Sequence, residues 1–432
     1  MTKPPQLASL GPWRGAANVY DEASPNYAPR DDGPAFLREA VNVDFDRDGY
    51  VRRRVGHQQV YPLLDGHSLA AVGPYLLVMD GGELYSLHVD QAAVAATKLV
   101  QGLARAPMSW VFAGVEAYGC NGTDAVRVIS AHNARPWALP TPPAPALETA
   151  FGALQAGTYG VTATAVTKDG RESGASPVAT IDVPEAGGIR VSQVHLHPLA
   201  AEANLYLTTT NGSVPYYAGT MAARDDEVVL TQLPVTHDPC ETIGLSGPPQ
   251  GADLVQAFKG RVLVAAGSAL YWSQPLAYHL FDQAQDLQLF PTPLRLIAPL
   301  DTGFYVADRD TLYWCAGAEP SEWSIRPVSS VSVSRSQPLL LPAEKVPSLE
   351  SPGLAALWMT SDGLMAGLEG GQTRLLSRDR VAVPAHQQAS LVHREEAGVS
   401  QVLASLQERT RGNGFTATDR AECVVTRSQS IR

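Results

Sequence analysis

The residues best spaced for chemistry are three carboxylates at alternate positions, Asp44, Asp46 and Asp48, followed at once by Gly49. A hard cation selects several oxygens converging on a sharp bend, so Asp44-Phe45-Asp46-Arg47-Asp48-Gly49 is a candidate opening of a Ca²⁺ loop. The rest of that loop fails, because Arg52 and Val55 stand where its later ligands belong. A hairpin turned at Asp48-Gly49 with solvated acids accounts for the same residues and needs no cofactor. The only dense basic run follows, Arg52-Arg53-Arg54. Strand alternation puts Arg52 and Arg54 on one face and Arg53 on the other, so the three are not a single patch. They are candidate contacts for a phosphate backbone or an acidic partner. Cross-strand pairing with Asp44, Asp46 and Asp48 is an equally economical role.

His195 and His197 have the spacing that brings two imidazoles to one face of a strand. Only Glu202 stands near as a third ligand, and surface or core-edge histidines explain the pair more simply. Nucleophile and phosphate signatures are missing: there is no Gly-x-Ser-x-Gly elbow, no P-loop and no His-Glu-x-x-His. A sialidase-type Asp box would need a Trp after Ser361-Asp362-Gly363, where Met365 and Ala366 stand. The expectation is a protein without catalytic residues and without a cofactor.

The elements that must carry these residues repeat. Leu76 to Tyr85, Val262 to Trp272, Gly303 to Trp314 and, more weakly, Ala356 to Met365 each read as an apolar run, a tight polar turn and a returning Leu-Tyr or similar pair. Such phrases are hairpins of buried strands. Their spacing of roughly 40 to 50 residues is the period of a four-stranded propeller blade, a unit that cannot bury its own faces and must stack on neighbours. The sequence therefore predicts an all-β chain, a β-propeller of roughly six to eight blades.

Composition divides it. Residues 1–138 read as an N-terminal arm, rich in Pro, Gly, Asn and Asp up to about residue 34, followed by the first blades. Leu139-Pro140-Thr141-Pro142-Pro143-Ala144-Pro145 is a stiff linker that opens an insertion, 139–239. There Tyr159, Val161, Ala163 and Ala165 alternate with Thr and Gly, and the corner at Ser176-Pro177 resembles that of a fibronectin type III-like sandwich. Blades resume over 240–386, and 387–432, where periodicity weakens, reads as a peripheral C-terminal segment.

With 45% hydrophobic and 17% charged residues the chain suits a large buried β core. Its formal charge of −11 argues against a dedicated nucleic-acid binder, though an acidic lining would let DNA pass without sticking. Cys120, Cys240, Cys315 and Cys423 are scattered, as free thiols in a reducing compartment would be. The N-terminus lacks a signal-peptide core and the most apolar window, Leu69 to Met79, is far short of a membrane span. Synthesis in a cytoplasm without membrane insertion is expected.

Two stretches carry a resemblance. Gly11-Pro12-Trp13-Arg14-Gly15-Ala16-Ala17-Asn18, with Leu37 to Asp44 and Val51 to Gly56, is similar to the opening of the tail nozzle or packaged-DNA stabilisation (head completion) proteins of short-tailed bacteriophages. Gly260-Arg261-Val262-Leu263-Val264-Ala265, continuing through Leu270-Tyr271-Trp272-Ser273-Gln274-Pro275 to Phe281-Asp282, resembles a blade phrase of that family. The resemblance implies a structural propeller subunit of the virion tail, assembled in the host bacterial cytoplasm. It implies a ring of copies, hexameric in the family, that closes the channel below portal and adaptor proteins. Such a ring retains packaged DNA, passes it at ejection and supports tail fibres or spikes. The inserted sandwich departs from a minimal nozzle. The rival expectations are a propeller enzyme acting on glycans, which needs convergent carboxylates, and a module that binds a carbohydrate or protein.

Overall fold

A computed structural model describes residues 12–21, 23–27, 36–46, 48–54, 59–72, 75–89, 94–235, 237–346, 349, 351–377, 380–396, 399–407 and 420–426. Gly11, Arg47, Val55, Gly56, the first part of the arm and the side chain of Cys423 lie outside the described residues.

The chain is all-β, and its sheets are antiparallel meanders of the propeller-blade type interrupted by a β-sandwich. The first blade runs through Gly66–Val72, Tyr75–Asp80, Glu83–Val89 and Val94–Gln101, and the second through Ser109–Ala113, Glu116–Cys120, Ala125–Ser130 and Asn133–Pro136. After the sandwich, a third joins Ala252–Phe258, Arg261–Ala266 and Ala269–Gln274, with both Ala277–Phe281 and Leu287–Leu289 pairing to its third strand. The fourth comprises Leu296–Pro299, Gly303–Ala307, Leu312–Ala316 and Ser324–Ser329, and the fifth Leu339–Pro342, Leu354–Thr360, Gly363–Gly367 and Thr373–Leu375. Gln388–Glu396, Val399–Gln407 and Arg420–Thr426 form a further three-stranded sheet.

Turn chemistry sets the register of these meanders. Gly81 and Gly82 take φ +57° and +93° between Asp80 and Glu83, the pair of positive angles that a two-residue hairpin needs to match strand twist. Burial explains the continuous apolar runs. Glu116–Cys120, Gly303–Ala307 and Gly363–Gly367 are buried at every position, as strands covered on both faces must be.

Two compact units result, residues 63–289 and the remainder. Within the first, Leu77, Met79 and Leu84 pack with Trp110, Ala117 and Val128, joining the first and second blades. Tyr118 and Trp137 pack with Val255, Val262, Val264 and Phe281, joining the second and third. Within the other unit, Tyr305, Trp314 and Trp358 join the fourth and fifth blades. Leu357, Met359 and Leu364 of the fifth share a core with Ala389, Val402, Ala404 and Leu406, so the C-terminal strands expected to be peripheral pack against a blade. In the same unit Asn18 is stitched to the 380–382 segment, its N–H donating to Arg380 O at 2.7 Å and its Oδ1 accepting from the Ala382 N–H at 2.6 Å.

The sandwich carries a four-stranded sheet ordered Ala179–Val183, Gly157–Thr167, Ala200–Thr208, Pro215–Ala222 against a three-stranded one of Ala146–Leu154, Gly187–Ser192, Glu227–Leu230. Tyr159, Val161 and Ala163, with Leu205 of the neighbouring strand, pack against Ile189 and Val191 of the other sheet, the immunoglobulin-like arrangement of two packed antiparallel sheets. Thr162 and Thr164 are buried as well, because residues 172–177 cover their face. There the Ser173 and Ser176 hydroxyls accept from the Ala165 and Ala163 N–H groups at 2.9 and 3.0 Å, where a regular strand would have offered carbonyls. Gly174 makes this fit possible: a Cβ there would lie 1.8 Å from Leu245 O in the segment that leaves the sandwich.

Candidate functional site

The acid–arginine hairpin forms from Val43–Phe45 and Val51–Arg53, with Asp44 opposite Arg52. Asp46 closes the turn. Its Oδ1 accepts from the Asp48 and Tyr50 N–H groups at 3.0 and 2.9 Å, and its Oδ2 lies 3.1 Å from Arg52 Nη2. Desolvation works to raise this carboxyl, but the two N–H donors and the Arg52 charge outweigh it and hold Asp46 below the usual range. Asp44 binds Arg54 Nε at 3.4 Å and Arg394 Nη2 at 2.6 Å. Asp48 and Arg53 are exposed. The carboxylates are thus engaged separately, two by arginine and backbone donors, and among the described residues no three His, Cys, Asp or Glu side chains are grouped to share a cation. His195 and His197 lie in a loop after Gly187–Ser192 rather than on a strand, because the chain turns there and the Leu199 N–H donates to His197 Nδ1 at 3.2 Å.

A second cluster, not singled out from the sequence, sits where the second blade meets the sandwich, both within residues 63–289. Neighbouring blade strands contribute Glu116, Tyr118 and Arg127, and the sandwich turn 167–171 contributes Asp169 and Arg171. Arg127 is 2% exposed; its Nη2 donates to Asp169 Oδ2 at 2.8 Å, and its Nη1 lies 3.8 Å from Glu116 Oε1, beyond hydrogen-bond reach. Arg171 pairs through Nη2 with Glu116 and donates from Nη1 to the Tyr118 hydroxyl at 3.1 Å, which itself donates to Glu116 Oε2 at 2.9 Å. A buried guanidinium is tolerable only with acids placed on it, so blade and sandwich each supply half of the pairing.

Titration in this cluster follows burial and the arginine charges. Desolvation would raise Asp169, but hydrogen bonds from Thr167 and Arg127 and the Arg127 charge hold it at about 2. Burial pushes Tyr118 up to about 12. Burial, then the Arg171 field, depress His279 to about 4, against a partly restoring bond between its Nε2 and Glu172 O at 3.1 Å. At neutral pH the imidazole is uncharged, so it donates through Nε2 to that carbonyl. The sequence signal for this cluster was a charge inside an apolar run, Arg127 between Val126 and Val128, which strand alternation alone assigns to a solvent face.

No family model and no curated protein matches this chain. Among solved structures it is similar to the extracellular domain of BT4673 from B. thetaiotaomicron, at 10% identity and TM-score 0.31, over 81% of this chain and 38% of that one. It is also similar to the N-terminal domain of Nup159, at 11% identity and TM-score 0.30, over 88% and 78% of the two chains. A third likeness is to the AfRom2 CNH domain, at 12% identity and TM-score 0.22, over 75% and 85%.

Proposed function

We propose that this chain is a structural virion protein of a tailed bacteriophage. In this reading it forms a tail nozzle or head-to-tail closure ring that retains packaged DNA, passes it at ejection and carries tail fibres. The observation that carries the reading is the family-like phrase from Gly260 to Asp282, which here is one mechanical unit. Lys259 and Gly260 turn the chain with φ +44° and +75°. Arg261 Nη1 then donates to Ser273 O at 2.8 Å, and the Ser273 hydroxyl accepts from the Val262 N–H at 3.0 Å. The Arg and the Ser of the phrase therefore lock adjacent strands of one blade, a structural use that requires no chemistry at either residue. The other family-like stretch supplies the arginine-clasped hairpin and the Asn18 stitch, so its polar residues too are spent on holding the chain together. Arg53, exposed, and Arg52, exposed although paired with Asp46, are the basic side chains that the hairpin presents to a neighbouring virion protein or to passing DNA.

Mass spectrometry of density-gradient-purified particles from the source culture tests this. Peptides of this chain at a few copies per capsid, sedimenting with DNA-filled particles, are expected. Their absence from particles, with the protein free in the lysate, would discard the virion role and direct work to glycan hydrolysis and binding.

A further inference from the structure

One end of the sandwich meets the second blade, through Asp169 and Arg171 of the turn 167–171. The strand registers gather other turns at the opposite end, where Leu154 pairs with Gly187, Gly157 with Val183 and Thr208 with Pro215. Turns 155–156, 184–186 and 209–214 therefore cluster there, carried by two packed sheets as the recognition loops of immunoglobulin-like sandwiches are.

Phe151 stands at this far end, 99% exposed. Ala150 pairs with Gly188 and Leu154 with Gly187, so residues 151–153 bulge from an otherwise regular ladder. Backbone contacts fix the bulge. The Ala153 N–H donates to Thr231 O at 2.6 Å, and a Cβ on Gly152 or on Gly188 would lie 2.5 Å from Gly187 O or Phe151 O respectively. A ring left in water forgoes the burial that stabilises aromatic side chains, yet this rigid bulge turns it outward. Val214, in the third turn, is exposed too. Charge selects what could cover them. Residues 151–158, 182–188 and 208–215 include the exposed acids Asp182 and Glu185 and not one Lys or Arg. An apolar knob with acids and no base around it complements a pocket rimmed by basic side chains, and it disfavours a second copy of the same end.

We propose that this end of the sandwich docks another protein, one that takes the Phe151 ring into an apolar pocket rimmed by Lys or Arg. Phe151 is the anchor, and Asp182 and Glu185 steer and orient the encounter. Docking of this kind is independent of the virion role.

A photoreactive benzophenone side chain, placed in the full chain at position 151 and separately at the exposed Gln155 beside it, tests this in the source culture. Irradiation should join the chain to one other protein, and the joined peptide should hold apolar residues with Lys or Arg next to them. The same probe at His195, exposed at the opposite end, should not give that adduct. Added parent chain should suppress the adduct, whereas Phe151→Ala, which removes an exposed ring and no packing, should need about thirtyfold more for equal suppression. Glu185→Lys should need about fivefold more. No adduct from either position, an adduct with a second copy or with a surface lacking basic residues, or equal competition by parent and Phe151→Ala would each overturn the proposal. The expected adduct, formed in a lysate whose particles lack the chain, would uphold it and discard the virion role alone.

Discussion

His279 sits where burial and the Arg171 charge act in the same direction, and its folded-state value of about 4 lies below the ordinary histidine range. The unfolded chain therefore binds a proton that the folded chain refuses between about pH 6.5 and pH 4. Stability should be fully present above about pH 6.5 and fall as pH drops through that window, by at most about 1.4 kcal/mol per unit, levelling below pH 4. Asp169, held at about 2, retains its contribution through that range and loses it only below about pH 4. Thermal melts from pH 7.5 to 4.5 should therefore be less pH-dependent in His279→Gln than in the parent, and parallel slopes would exclude the effect. At this scale the sequence was legible where residues act locally. The turn at Asp48-Gly49 was readable because it is held within a few positions, by the Asp48 and Tyr50 N–H groups on the Asp46 carboxylate. Arg127 and Asp169 were not, since nothing in a strand or a Lys-Asp-Gly turn reveals a partner 42 positions away.

Elements were legible to the extent that their burial was two-sided. Apolar runs such as Tyr305-Val306-Ala307 announced inner blade strands, because both faces are covered and no polar residue interrupts them. The strand Val399–Gln407 hid its role: Val402, Ala404 and Leu406 are buried at alternate positions, but Ser400, Gln401 and Ser405 before and among them weaken the apolar signal. The covering strip at 172–177 hid for a related reason, as serine hydroxyls take the place of ladder carbonyls there. The acid–arginine hairpin gives this scale its prediction. Asp44 ties it to the strand Gln388–Glu396 through Arg394, and the same carboxylate also pairs with Arg54. Asp44→Ala would leave two arginines facing each other and should open the hairpin locally by about 1 to 2 kcal/mol. Hydrogen exchange at Val51–Arg53 should then quicken about tenfold, while the exposed Asp48→Ala leaves it unchanged. Equal exchange in both variants would mean that the backbone ladder, and not the carboxylate, holds the hairpin.

For the whole molecule, charge bears most directly on the proposed ring. Each copy carries a formal charge of −11, so bringing copies together accumulates like charge that only contacts or salt can offset. Beyond about 8 Å such repulsion is screened at physiological ionic strength, whereas apolar contacts are not weakened by salt. A ring held by apolar and backbone contacts should therefore assemble more readily as sodium chloride rises from about 50 to 300 mM, and sedimentation velocity of the purified chain should show the larger species growing. A ring held by Arg52 and Arg53 against an acidic neighbour predicts the reverse, dissociation over the same range, and the double substitution to Gln should then abolish the ring at low salt. The two signs of the salt response thus assign the closure contacts either to the arginine hairpin or to surfaces elsewhere on the chain. A chain that stays monomeric under every condition would remove self-assembly from the proposal and leave attachment to another virion protein as the means of incorporation.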